Sequence, residues 1–217
     1  MTPFATRRRT MVDTQVRPSD VTKFPIIEAL LSVPKEFYVP DSQREAAYVG
    51  ENLALGDGRV VLDPRTMAKM LDVLDIQPDE MVLDIGCGLG YSSAVLAKLA
   101  EAVVAIEEDA QLANEAQATL SAEGVDNVAV LEAALTDGAA KHGPYDVVVI
   151  QGAVAALPTA ITDQVKEGGR IICLFMEGNL GVVRLGHKSD GNISWRQCFN
   201  ASAPVLPGFA QQDAFVL

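Results

Sequence analysis

From Met81 onward the chain alternates short apolar runs with helix-patterned segments, and the first junction holds three closely spaced glycines. Met81–Ile85 reads as a buried strand and Tyr91–Ala100 as a helix. Ala102–Ile106 is a second strand, Gln111–Ala122 a helix, Asn127–Leu131 a third strand and Asp146–Ile150 a fourth. Leu157–Val165 is expected to be helical, Gly168-Gly169 to turn, and Arg170–Phe175 to form a fifth strand. Strands separated by helices imply a parallel sheet covered on both faces. Gly181–Gly186 and Ile193–Phe199, joined by Ser189-Asp190-Gly191-Asn192, read as a closing antiparallel hairpin.

The junction after the first strand is Val82-Leu83-Asp84-Ile85-Gly86-Cys87-Gly88-Leu89-Gly90. Glycines between a strand and a helix permit positive φ and let a ligand approach the backbone. A dinucleotide fingerprint needs a third glycine at position 91, which is Tyr91. Gly-x-Gly-x-Gly behind an acid is instead typical of S-adenosyl-L-methionine (SAM) sites. Glu107, followed by Glu108, ends the second strand. An acid there, roughly 20 residues past the glycines, is placed to accept hydrogen bonds from both ribose hydroxyls. The end of the third strand borders the expected adenine position.

Charge and composition narrow the partners. Lys and Arg total 17 against 29 Asp and Glu, a net charge of −12, which disfavours a nucleic-acid partner. No apolar run reaches the roughly 20 residues of a membrane span, and none follows the basic start as in a signal peptide. A soluble, cytoplasmic chain is expected. Cys87, Cys173 and Cys198 lie far apart, as do His142 and His187, so neither a disulfide framework nor a metal site is expected.

The first eighty residues read as helices separated by Pro and Gly. Phe24–Leu31 and Pro64–Leu74 carry apolar residues at helical spacing, the second placing Met67, Met70, Leu71 and Leu74 on one face. Gly50, Gly56 and Gly58 mark a loop, and Arg7-Arg8-Arg9 is expected to be a solvated tail. Residues 1–78 are expected to pack as a helical addition with a substrate loop on a 79–217 core, one compact domain in all.

Most of the chain resembles the protein-L-isoaspartate O-methyltransferase family. Ala29-Leu30-Leu31-Ser32-Val33-Pro34-Lys35-Glu36-Phe37-Tyr38-Val39-Pro40, Ala47-Tyr48 and Asn52-Leu53-Ala54-Leu55-Gly56 carry the resemblance before the glycine loop. Gly143-Pro144-Tyr145-Asp146, Leu157-Pro158 and Glu167-Gly168-Gly169 carry it afterwards. The resemblance implies an α/β fold, the SAM-dependent methyltransferase Rossmann-like fold. Its sheet is mostly parallel and twisted, with helices on both faces, an antiparallel C-terminal hairpin and an N-terminal helical addition. It also implies methylation of isoaspartyl residues in damaged proteins or peptides, with SAM as cofactor and neither nucleic acid nor membrane as partner. Asp84, Gly86, Cys87, Gly88, Gly90, Tyr91, Glu107, Glu108, Ala133, Ala134 and Gln151 would then contact SAM. A carboxylate acceptor is already ionised at neutral pH, its pKa being near 4, so no general base is required and no catalytic residue is assigned.

The substrate loop departs from the family's Gly-Gln-Thr-Ile-Ser-Gln-Pro. It reads Gly58-Arg59-Val60-Val61-Leu62-Asp63-Pro64, so the substrate contacts would be Arg59, Val60, Leu62 and Asp63. Both hydroxyls are replaced by apolar side chains, and Asp63 adds a negative charge next to an anionic substrate. After the third strand, Ala133-Ala134-Leu135 replaces Gly-Asp-Gly. Two alternatives follow: the same fold acting on another substrate, and a SAM-binding protein without catalytic activity.

Overall fold

The computed structural model describes residues 2–178 and 180–210; the end of the C-terminal tail lies outside them. The N-terminal segment comprises α1 (Pro3–Met11), α2 (Phe24–Ser32), the hairpin β1 (Leu53–Gly56) and β2 (Arg59–Val61), and α3 (Pro64–Leu74). The remainder alternates β3 (Met81–Ile85), α4 (Tyr91–Leu96), β4 (Ala102–Glu107), α5 (Ala110–Ala122), β5 (Val128–Glu132), β6 (Tyr145–Val154), α6 (Thr159–Thr162), β7 (Val165–Glu177), β8 (Leu180–Ser189) and β9 (Asn192–Asn200). The main sheet has the order β5-β4-β3-β6-β7-β8-β9. Pairing is parallel from β5 to β7 and antiparallel through β8 and β9. Chain order reverses beside β3, so the strand ends there open onto a crevice, where open α/β sheets bind ligands.

Period-two alternation divides the core. Val82, Val103, Ala105, Val147, Val149 and Ile172 face one side, where Met11, Leu30, Met67, Met70 and Leu74 of the N-terminal segment cover them. Leu83, Ile85, Val104, Ile106, Val148, Ile150 and Ile171 face the other side, together with Tyr145, Leu206 and Phe209. The methionines of α3 are thus core residues, as their helical spacing implies.

Three local expectations change. The helix expected over 157–165 shrinks to Thr159–Thr162. The Gln164 side chain donates to Asp137 O and Ala160 O and accepts from Ala139 N, while Tyr145 N donates to Gln164 O. These bonds pull the chain out of helix and into β7. The Gly168-Gly169 turn becomes an irregularity inside β7, across which the register jumps from Tyr145↔Val165 to Val147↔Arg170. The supposed loop around Gly56 and Gly58 is the turn of the β1–β2 hairpin.

The Arg7–Arg9 segment is solvated only in part: it is helical, with Arg7 and Arg9 exposed. It lies in α1, and Arg8 reaches inward to Glu36 and Tyr48, with Nη1 on Leu31 O at 3.1 Å. Tyr48 in turn donates to Glu36. Removing one partner of such a mostly buried pair leaves the other charge uncompensated. Arg8→Met is therefore expected to lower unfolding free energy by about 3 kcal/mol, read from urea midpoints. An unchanged midpoint would mean that this contact contributes nothing to the folded state.

Candidate donor site and its internal occupant

The glycine loop has the backbone its sequence implies. Gly86, Gly88 and Gly90 take φ of 81°, 55° and 91°, a region side chains rarely enter. Gly90 is the residue before α4, and Tyr91 is its first residue. Asp84 is fully buried. Its Oδ2 accepts from Ser92 Oγ and Ser93 Oγ at 2.6 Å each, and Oδ1 accepts from Gln151 Nε2 at 2.8 Å. Burial raises its pKa, while those three donors oppose the rise. Asp84 thereby ties β3 to α4 and β6 and fixes the loop from behind. Cys87 is buried, and burial pushes its thiol pKa up, so it behaves as a small loop residue and not as a nucleophile.

Glu107 ends β4 where the ribose acceptor is expected, and it is fully buried. Its Oε1 accepts from Arg59 Nη1 at 2.6 Å, Glu108 N at 2.9 Å and Asp109 N at 3.1 Å. Its Oε2 accepts from Arg59 Nη2 at 2.6 Å and Gly88 N at 2.8 Å. A carboxylate offers about four lone-pair positions, so Glu107 has no acceptor capacity left. The partner of Arg59 is therefore the carboxylate assigned to the donor.

The same hairpin fills the space above the glycines. A Cβ on Gly86 would lie 3.0 Å from Arg59 Nη2, and one on Gly88 would lie 2.4 Å from Leu55 Cδ1. Leu206 covers the far side, 2.5 Å from the position of a Cβ on Gly152. Val60, Val61 and Leu62 close over Gly86, Cys87, Tyr91, Ser92 and Gln151, leaving a gap of about 10 Å3. That is no more than one water needs. A cavity of about 390 Å3 remains outside Arg59, bordered by Leu55, Asp57, Glu108, Asp109, Leu112 and Pro207.

Glu108 is exposed at that cavity, and Asp109 caps α5 by accepting from Gln111 N and Leu112 N. Ala133 donates its N–H to Glu107 O, which sets the end of β5 beside β4, and Ala134 is exposed. Val60 and Leu62 are buried. Asp63 is the N-cap of α3, its Oδ1 accepting from Thr66 N at 3.0 Å. Its charge is thus engaged by a helix start, not simply opposed to a substrate.

Sequence reasoning missed Leu55, Leu206, Asn52 and Lys35. Asn52 accepts from Asp63 N and donates to Ser202 O, pinning both ends of the hairpin at one point. Lys35 is fully buried, its Nζ lacks a hydrogen-bond partner among the described residues, and it lies 5.3 Å from the centroid of the Tyr91 ring. Burial lowers its pKa to about 8, with Asp63 partly opposing the shift. One available signal was the apolar stretch Val60-Val61-Leu62: it buries the adjacent Arg59, and a buried cation requires a carboxylate.

The fold and the glycine–acid site define a Rossmann-like methyltransferase. The family model for protein-L-isoaspartate(D-aspartate) O-methyltransferase matches residues 7–202. The chain is 35% identical over 214 residues to a protein-L-isoaspartate O-methyltransferase of Synechococcus sp. (strain JA-2-3B'a(2-13)), covering 98% of this chain and 84% of the relative. It is 36% identical over 172 residues to that of Syntrophus aciditrophicus, covering 79% of each. Among solved structures, a protein-L-isoaspartate O-methyltransferase superposes with TM-score 0.81 at 23% identity, over 93% of this chain and 66% of that one. Another, from Plasmodium falciparum in complex with S-adenosyl-L-homocysteine, gives 0.78 at 18% identity, over 95% and 99%. The chain belongs to the protein-L-isoaspartate O-methyltransferase family, whose methyl donor is SAM.

Lys35 gives a pH prediction. A lowered lysine pKa means that the unfolded chain binds more protons between about pH 8 and its ordinary value near 10.4. Stability contributed by this site therefore rises as pH increases through that window. Tyr38, Tyr48 and Tyr91, whose burial raises their pKa values, act oppositely only near and above pH 10. Urea unfolding at about pH 7 and 9.5 should show wild type gaining on Lys35→Met; equal changes in both proteins would contradict the assignment.

Proposed function

We propose that this chain transfers a methyl group from SAM to the free α-carboxylate of isoaspartyl residues in proteins or peptides. The observation that carries this reading is the positive-φ glycine cradle joined to Glu107 at the end of β4, in a chain of this family. The residues present fit the donor's chemistry. Glu107 is a two-oxygen acceptor matched to a pair of ribose hydroxyls, and the glycines leave room for a ligand wherever Arg59 and Leu55 are withdrawn. When bound, SAM supplies an electrophilic methyl on a sulfonium.

The protein's own contribution is binding, orientation and exclusion of water. Glu107 holds and orients the donor, and the Asp84–Ser92–Ser93–Gln151 network keeps the cradle rigid. Val60, Val61, Leu62 and Met67 form an apolar wall beside Gly86 and Cys87. Such a wall strips water from a carboxylate nucleophile that is already ionised and needs no base. The buried Lys35 ammonium behind Tyr91 adds positive potential on that side.

A cytoplasmic setting is part of this proposal. Among the described residues no helix is long and apolar enough to cross a membrane, and Cys87, Cys173 and Cys198 are free thiols. The net charge of −12 supports a protein or peptide partner over nucleic acid. The apolar side chains at Val60 and Leu62 support a second reading, the same transfer to a less polar acceptor.

Tritiated SAM and an isoaspartyl peptide separate these readings. Base-labile methyl ester on that peptide, and none on its aspartyl counterpart, is the expected result. No ester on either peptide, with the protein folded and SAM bound, would overturn the isoaspartyl assignment.

A further inference from the structure

We infer that Arg59 is an internal competitor for the donor's ribose subsite, and that SAM enters only when the β1–β2 arm leaves Glu107. The inference rests on the reading of Glu107 as ribose acceptor. Three observations carry it. First, the guanidinium presents two N–H groups to the two oxygens of Glu107, 2.6 Å each, and so occupies both acceptors that a ribose diol would use. Three backbone N–H groups fill what remains, so a diol cannot bond until Arg59 withdraws.

Second, the arm covers the cradle along its length. Leu55 lies over Gly88, Arg59 over Gly86, and Val60 to Leu62 over Gly86 and Cys87. A ligand cannot lie against Gly86 and Gly88 while the arm is in place. Third, the arm is a two-stranded unit separate from the main sheet. Its ends meet at the Asn52–Asp63 bond, and among the described residues β1 and β2 pair only with each other, apart from the seven-stranded sheet. The occupant is also imperfectly satisfied, since Arg59 Nε is buried without a hydrogen-bond partner among the described residues. A buried orphan donor costs free energy that release to water recovers.

Apparent affinity falls in proportion to the fraction of molecules whose site is open. Arg59 therefore sets donor affinity without touching the donor. Weak donor binding that strengthens when the arm is loosened is the behaviour expected of this chain.

Isothermal titration with S-adenosyl-L-homocysteine tests this directly on the full chain. Wild type, Arg59→Ala, Leu55→Ala and Glu107→Ala are compared, with folding checked by circular dichroism. Arg59→Ala is expected to bind at least tenfold more tightly than wild type, Leu55→Ala to tighten to a smaller extent, and Glu107→Ala to bind most weakly. Ligand should also raise the Tm of Arg59→Ala more than that of wild type. If Arg59→Ala fails to fold, Arg59→Gln, which retains a donor toward Glu107, replaces it with the same expected direction.

Equal or weaker binding by the Arg59 variant, with Glu107→Ala still impaired, overturns the competition while leaving the ribose assignment standing. Binding unaffected by Glu107→Ala, or absent from every folded variant, overturns the ribose assignment and the inference together.

Discussion

The buried pair between Arg59 and Glu107 determines how the donor site is arranged. Neither charge is tolerable alone in this environment. Glu107 is fully buried and Arg59 is nearly so, and an isolated ion there would cost several kcal/mol. Each residue holds the other in place. Through Arg59 the pair fixes the β1–β2 hairpin over the glycine loop, and through Glu107 it anchors Gly88 and the start of α5. On the proposed reading, the pair decides when the donor site is available.

The sheet was legible because burial on both faces leaves continuous apolar runs. Met81–Ile85 and the hairpin around Asp190-Gly191 follow from that pattern and from turn chemistry. Pro64–Leu74 also matches its expected span, bounded by the Asp63 cap and the left-handed Asp75. The errors lie where tertiary bonds outweigh local preference. Gln164 ended α6 early because its amide satisfies three separated backbone groups, a geometry with no local sequence signature. The short β1–β2 hairpin hid among glycines that also suit a loop.

The candidate site was half legible. The glycines, Asp84 and Glu107 fall where their spacing puts them, since strand ends and tight turns are local events. What they touch was not local. Arg59 lies 48 positions from Glu107, and nothing in the spacing links them. Asp63 shows the same limit in reverse: as a bare charge it looks hostile to an anionic substrate, yet its oxygen caps α3. A charge read from sequence has a sign; its partner comes only from the fold.

A crystal structure of the full chain with S-adenosyl-L-homocysteine tests the central claim most directly. The account predicts Arg59 turned away from Glu107, the β1–β2 arm lifted from Gly86 and Gly88, and ribose oxygens within hydrogen-bond distance of the Glu107 carboxylate. Ligand bound at the glycine loop with the Arg59–Glu107 pair intact would contradict it.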